Sequence, residues 1–173
     1  MSPRPPSGMA AIHPAWLLAT WFGAGLAPKA PGTVGSLAAL PVAWVIQSRF
    51  GFTGLIIAAL IGTIVGLWAC SRLIMPESTG DPGHIVIDEV AGQWLALAPV
   101  AAMAPAPDYV FYATGFVLFR FFDIMKPSPV DWAERRFKGA LGIMADDIVA
   151  AVYAGVGTGF IYTYSHGLGP FSP

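Results

Sequence analysis

Residues 50–71 contain no Asp, Glu, Lys or Arg. This run of 22 residues constrains the fold more than any other feature. As a helix rising ~1.5 Å per residue it reaches ~33 Å, enough to cross the hydrocarbon of a bilayer. Two further stretches, 90–107 and 148–173, are also free of charge. The chain has 173 residues, is 55% hydrophobic and has a mean hydropathy of +0.64. That is well above ordinary soluble composition and reads as an integral membrane protein. The alternative is a very apolar soluble bundle.

The apolar runs predict about five helices, at 36–47, 51–73, 85–104, 109–123 and 147–164. Val, Ile and Phe would also permit strands, but the length of the runs favours helices. Small residues such as Gly54, Ala58, Gly62 and Gly66 suit close helix packing in lipid. The first helix is short and holds Pro41, so it is expected to be tilted, kinked or re-entrant. Residues 16–26 could form a further interfacial helix. The expected fold class is all-α, a compact membrane-embedded bundle. One domain spans 13–166, between an N-terminal tip (1–12) and a C-terminal tail (167–173). No repeat or linker divides it, and no cleavable signal peptide is read at the start.

Charge orients the bundle. Lys126, Arg135, Arg136 and Lys138 lie between the last two apolar runs, which places that segment in the cytoplasm by the positive-inside rule. Alternation then puts residues 75–84 inside with Arg72, the turn at Arg49 outside and Lys29 inside. Arg49 is the one dissenting charge. The segments 29–36, 81–89 and 120–147 therefore share the cytoplasmic face. The net charge of −1 offers no bulk field for nucleic acid. Cys70 is the only cysteine, which excludes an internal disulfide. Pro76 stands six residues after it, which excludes a Cys-x5-Arg phosphatase.

Charged residues make up only 11% of the chain, yet four of its ten acids form two adjacent pairs at the ends of apolar runs. These are Asp88-Glu89 in HIVIDEVAGQW and Asp146-Asp147 in GIMADDIVAAVYAG, with Asp123 between them in FRFFDIMKPSPV. Bare carboxylates in apolar surroundings are costly, so their retention points to a bound cation or a reaction that needs negative charge. Adjacent helical residues diverge by about 100°, so one member of a pair can face a cation while the other faces a basic side chain. A cap explains one Asp at 146–147 but not two. Arg120, Asp123 and Lys126 are spaced by three and line one helical face if the helix persists to Lys126, although Pro127 works against that last turn. The alternative is a charge cluster snorkelling to the interface. PGTVGSLAALP places Thr33 and Ser36 at a Gly-rich helix start that suits a phosphate, or that simply caps the helix. His84, one turn before Asp88, could bond to that acid or to a phosphate, or be an ordinary interfacial histidine. Clustered carboxylates are natural oxygen ligands for Mg²⁺, which bridges to phosphate oxygens.

Four stretches, PGTVGSLAALP, IVIDEVAGQW, FRFFDIMKPSPV and GIMADDIVAA, occur in an order and spacing that resemble the bacterial phosphatidylglycerophosphatase A family, over about residues 14 to 165. The resemblance implies a Mg²⁺-dependent lipid phosphatase of the bacterial inner membrane, multi-pass, with its site facing the cytoplasm. Its substrate would be phosphatidylglycerophosphate, and its products phosphatidylglycerol and inorganic phosphate. Asp88, Glu89, Asp123, Asp146 and Asp147 are the expected metal and catalytic residues. Thr33, Ser36, His84, Arg120 and Lys126 are expected to serve the phosphate or headgroup.

Other lipid-phosphate chemistries lack their motifs here. There is no Asp-x-Asp nucleophile of the haloacid dehalogenase type and no Asp-Gly-x2-Ala-Arg pattern of the CDP-alcohol phosphotransferases. The Arg and His constellation of type 2 phosphatidic acid phosphatases is also missing. A cation- or proton-coupled transporter is the competing functional class. It predicts acids near mid-membrane on separate helices rather than clustered at helix ends. For a structural subunit of a lipid-synthesis assembly, nothing specific speaks.

Overall fold

A computed structural model describes residues 4–6, 8–74, 82–104 and 106–167. Among them every regular element is helical. In chain order they are α1 (Pro14–Ala19), a 3-10 turn (Ala24–Leu26), α2 (Pro31–Leu73), α3 (Ile87–Met103), α4 (Tyr109–Met125), α5 (Val130–Arg136) and α6 (Gly139–Ser165). The loop expected on the cytoplasmic side at 75–84 lies mostly outside the described residues. So do parts of the expected N-terminal tip and nearly all of the C-terminal tail.

α2 is a hairpin rather than one rod. Its helical geometry holds through Pro41 but breaks at Gly51, with φ 59° and ψ −149°. That φ favours glycine, because a Cβ is crowded there. A Cβ on Gly54 would stand 3.4 Å from the carbonyl oxygen of Ile46, eight residues earlier. A continuous helix would separate those positions by about 12 Å, so the chain has turned back. The two predicted helices at 36–47 and 51–73 therefore correspond to the two arms of this hairpin, the first of which starts at Pro31.

The arms embrace α3. Trp94 Nε1 donates to the Ala39 carbonyl at 3.0 Å from the first arm. A Cβ on Gly62 of the second arm would lie 3.3 Å from Ala91. These close approaches use small residues where lipid-like packing requires them. The first arm runs parallel to α3 and the second antiparallel to it, so Gly32, Arg72 and Asp88 come to the same end of the bundle. α4 returns its C-terminus to that end, and α6 departs from it.

Among the described residues, two elements, the α2 hairpin (Pro31–Leu73) and α6 (Gly139–Ser165), contain helix long and apolar enough to cross a membrane. α3 and α4, 17 residues each, sit at the short end of the range that spans. Large apolar side chains face outward on several elements, including Ile57, Leu60 and Ile64 on α2, Val117 on α4, and Val156 and Phe160 on α6.

Three expectations need correction. The segment 16–26 is not one helix: after α1 the chain turns through Trp21, Phe22 and Gly23, all at positive φ, into the 3-10 turn. α4 ends at Met125, so Lys126 does not continue its face. α6 begins at Gly139, eight residues before Asp147, and α5 was not anticipated.

Candidate functional site

The polar groups gather where the starts of α2 and α3 meet the end of α4 and the early turns of α6. Asp88 and Glu89 occupy the first turn of α3, where the helix dipole favours negative charge. Adjacent helical residues leave the axis about 100° apart, so the two are expected to face different ways, yet their carboxylates come together, with oxygens within 4.8 Å of each other. Glu89 turns toward α4, with its Oε1 3.6 Å from Arg120 Nη1. It also reaches the first turn of α2 at Gly32, where a Cβ would overlap its carboxylate. Carboxylate oxygens of Asp88, Glu89 and Asp147 all lie within 4.8 Å of one another, and all three residues are buried.

Asp146 and Asp147 are embedded in α6 rather than at its start, so neither caps the helix. Their helical neighbours, Met144, Ala145, Ile148 and Val149, are apolar. Asp123 joins the cluster through Arg120 Nη1, 2.5 Å from its Oδ2. It also faces Glu89, Asp146 and Asp147 closely enough to act on them electrostatically.

Lys126 reaches the site by another route than a continued helix. It sits just past α4 at φ 44°, a left-handed conformation that costs an L-residue about 1–2 kcal/mol. From there its Nζ lies 2.7 Å from Asp146 Oδ2 and 2.8 Å from Glu134 Oε1 on α5. Burial on its own lowers the Lys126 pKa, but the hydrogen bonds to Asp146 and Glu134 outweigh it and lift the ammonium above its ordinary value. Lys126 is therefore a fixed positive charge at any working pH.

The expected phosphate-side residues divide. Thr33 lies half-buried in the first turn of α2. Ser36 is buried, and its hydroxyl donates to the Gly32 carbonyl at 2.9 Å, which leaves only its lone pairs for a ligand. His84 packs its ring against Trp16, with centroids 5.1 Å apart. Burial lowers its pKa, so it is neutral at neutral pH.

Two participants carried no signal in the sequence. Glu134 belongs to a seven-residue helix after KPSP. Gln93 lies one turn beyond Glu89 and is fully buried, with neither its Oε1 nor its Nε2 hydrogen-bonded.

Asp88, Glu89, Asp123, Asp146 and Asp147, with Glu134 behind Lys126, thus meet two cations, Arg120 and Lys126, at one end of an apolar bundle. Carboxylates confined together at low dielectric repel one another strongly unless a cation joins them. Glu89 Oε2, Asp146 Oδ1 and Asp147 Oδ2 are buried and accept no hydrogen bond, and the Asp88, Glu89 and Asp147 oxygens are close enough together to hold a metal ion. An all-oxygen donor set suits a hard divalent cation. Arg120 Nε, also buried without an acceptor, is a free donor beside them.

The family model described as Phosphatidylglycerophosphatase A matches residues 17–162 of the chain. A phosphatidylglycerophosphatase A of Escherichia coli (strain K12) is 38% identical over 89% of this chain and 85% of its own length. The Haemophilus influenzae protein of that name is 36% identical over 83% of the chain and 85% of its own length. A putative phosphatidylinositol-3-phosphatase of Bacteroides thetaiotaomicron is 40% identical, covering 80% of the chain and 87% of that protein. No solved structure matches.

Proposed function

The chain belongs to the phosphatidylglycerophosphatase A family, a family of phosphatases, and from that premise we propose that it hydrolyses phosphatidylglycerophosphate to phosphatidylglycerol and inorganic phosphate with the help of Mg²⁺. The observation that carries this reading is the meeting of Asp88, Glu89, Asp123, Asp146 and Asp147 with Arg120 and Lys126 at one end of the bundle. A transporter would carry its acids near the middle of its helices, whereas Asp88 and Glu89 stand in the first turn of α3 and Asp123 in the last turn of α4.

Asp88, Glu89 and Asp147 would hold the Mg²⁺, which neutralises phosphate charge that the carboxylates would otherwise repel. Arg120 donates from Nε to a phosphoryl oxygen while its Nη1 holds Asp123 and Glu89 in place. Water attacks phosphorus in line with the ester bond. Asp123, held by Arg120, or Asp146, held by Lys126, takes the proton of that water. The P–O bond to the glycerol oxygen breaks, that oxygen takes up a proton from solvent water and leaves as a hydroxyl, and the acid returns the proton it accepted to solvent. Thr33, with its half-buried hydroxyl, is positioned as a further donor at the start of α2.

The outward apolar belt and the two long apolar elements support a multi-pass placement in the bacterial inner membrane, with the site at the cytoplasmic face. Lys29, Arg72, Arg135, Arg136 and Lys138 lie at or near the site end, which suits that orientation.

The test is phosphate release by the purified protein in mixed micelles, from phosphatidylglycerophosphate and, because one relative is named for it, from phosphatidylinositol 3-phosphate. Release from the first with Mg²⁺, abolished by chelator and restored by added Mg²⁺, is expected. Undiminished hydrolysis in chelator, or release from the inositol lipid alone, overturns the reading.

A further inference from the structure

Among the described residues, three apolar grooves on the outside of the bundle stand out. One lies beside the α2 reversal, near Ile46 and Phe50, and another follows the first half of α4 from Tyr109 to Leu118. Both lie toward the end away from the carboxylates. The third, of about 150 Å³, lies between the second arm of α2, α3 and α6. Its floor is formed by buried Ala98, Ala151 and Gly155, and its rim by exposed Phe52 and Val152.

The third groove is aligned with the site. Leu95 and Pro99 follow Asp88 by seven and eleven residues, close to two and three whole helical turns, so they share its face of α3. Ala151 and Gly155 follow Asp147 by four and eight residues along one ridge of α6. The groove therefore starts ~6 Å below Asp147 and reaches ~16 Å below Asp88, at ~1.5 Å per residue. A headgroup above, glycerol between and hydrocarbon below is the order of polarity in a phospholipid. Gly155 keeps the floor low: a Cβ there would press on Pro99 Cγ at 3.0 Å.

We infer that this groove holds an acyl chain of the lipid whose phosphate reacts at the carboxylate cluster. The inference rests on the phosphatase reading above and adds where the rest of the substrate lies. It makes the protein selective for a phosphate monoester tethered to a long chain, over the same headgroup free in water.

The experiment fills the groove with Trp at two of its lining residues, Ile56 of the second α2 arm (Ile56→Trp) and separately Val152 of α6 (Val152→Trp), in protein purified in mixed micelles with Mg²⁺. Long-chain phosphatidylglycerophosphate is compared with its dihexanoyl analogue. KM for the long-chain lipid is expected to rise at least 5-fold in one or both variants, with hydrolysis of the short-chain analogue unchanged. An equal loss on both lipids, or no change on either, overturns the proposal. A second readout does not depend on turnover. Val152→Cys adds a thiol at the rim, since the native Cys70 is buried. In chelator, its maleimide labelling is expected to slow at least 3-fold with the long-chain lipid and not with the dihexanoyl one. Equal labelling with both overturns the groove. Absence of phosphate release by the unmodified protein from either lipid would instead overturn the phosphatase reading.

Discussion

Gly32 and Glu89 are packed so closely that a methyl group at position 32 would overlap the Glu89 carboxylate. The atom that must move is the far end of a side chain, so the helices stay and Glu89 swings, altering its approach to Arg120 and Asp88. Gly32→Ala is expected to keep its melting temperature while losing about 10²-fold in kcat/KM, the scale of a 1 Å misplacement at a reacting centre. Gly83→Ala, which meets open space, is expected to change neither. Phosphate release and thermal unfolding of the two variants check the difference.

Asp147→Asn keeps shape and most hydrogen-bonding capacity but removes the charge. A loss of at least ~10²-fold in turnover is expected, with folding retained. Asp131→Asn is the comparison. Asp131 pairs with Arg135 at 2.6 Å on the surface of α5, and such exposed pairs contribute about 0–1 kcal/mol. Its replacement is expected to leave turnover within 2-fold. Equal losses at both positions would mean that surface electrostatics, not a catalytic centre, had been found.

Lys126 links α4, α5 and α6 through Asp146 and Glu134. Lys126→Met leaves Asp146 with a buried, uncompensated charge, so it is expected to destabilise the fold by about 3–5 kcal/mol. Adding Asp146→Asn should restore much of that stability without restoring activity. A double-mutant cycle by thermal or denaturant unfolding measures the coupling, and additive effects would contradict it.

His84 contributes a dependence on acid. Burial lowers its pKa below the ordinary 6.5, so the unfolded chain binds its proton more readily than the folded one. Its contribution to stability is fully present above pH 6.5 and declines as pH falls through that value. Melting curves between pH 7.5 and about 5 should therefore fall less steeply for His84→Phe, which keeps an aromatic ring against Trp16, than for the unaltered protein.

The reversal in α2 rests on one residue. Gly51→Ala places a Cβ at φ 59° and ψ −149°, a region that only glycine adopts readily, which should cost about 1–3 kcal/mol in stability. Turnover per folded molecule is expected to be unaffected, because the site lies at the other end of both arms. Unfolding midpoints and single-turnover rates separate the two effects.

Much of this arrangement is legible in the residues themselves. The length of the uncharged runs marks the helices, and acids placed against them mark the site, since nothing apolar would keep Asp146 and Asp147 at that cost. What escapes the sequence is set by tertiary contact. Gly139, at φ 61°, does turn the chain as a Gly-rich stretch suggests, but Gly142 already lies within α6, where a Cβ would stand 2.8 Å from the Phe137 carbonyl oxygen. Pro127 already argues in the sequence against Lys126 as the next step of an i,i+3 face, and α4 does end at Met125; what the sequence cannot show is that the side chain finds Asp146. Gln93 gives no hint of itself: a carboxamide in an apolar run reads the same whether it faces lipid or the centre of a bundle.

The hairpin at Gly51 also bears on how the protein is made. In the placement proposed here, its tip carries Arg49 to the far side of the bilayer, two residues before the reversal. An arginine at mid-bilayer is disfavoured by about 2.5–3.5 kcal/mol on insertion scales, and at the far interface that penalty is relieved. The barrier thus belongs to biogenesis rather than to the finished fold. The two apolar arms on either side of Arg49, entering together as one unit, are what carry it across.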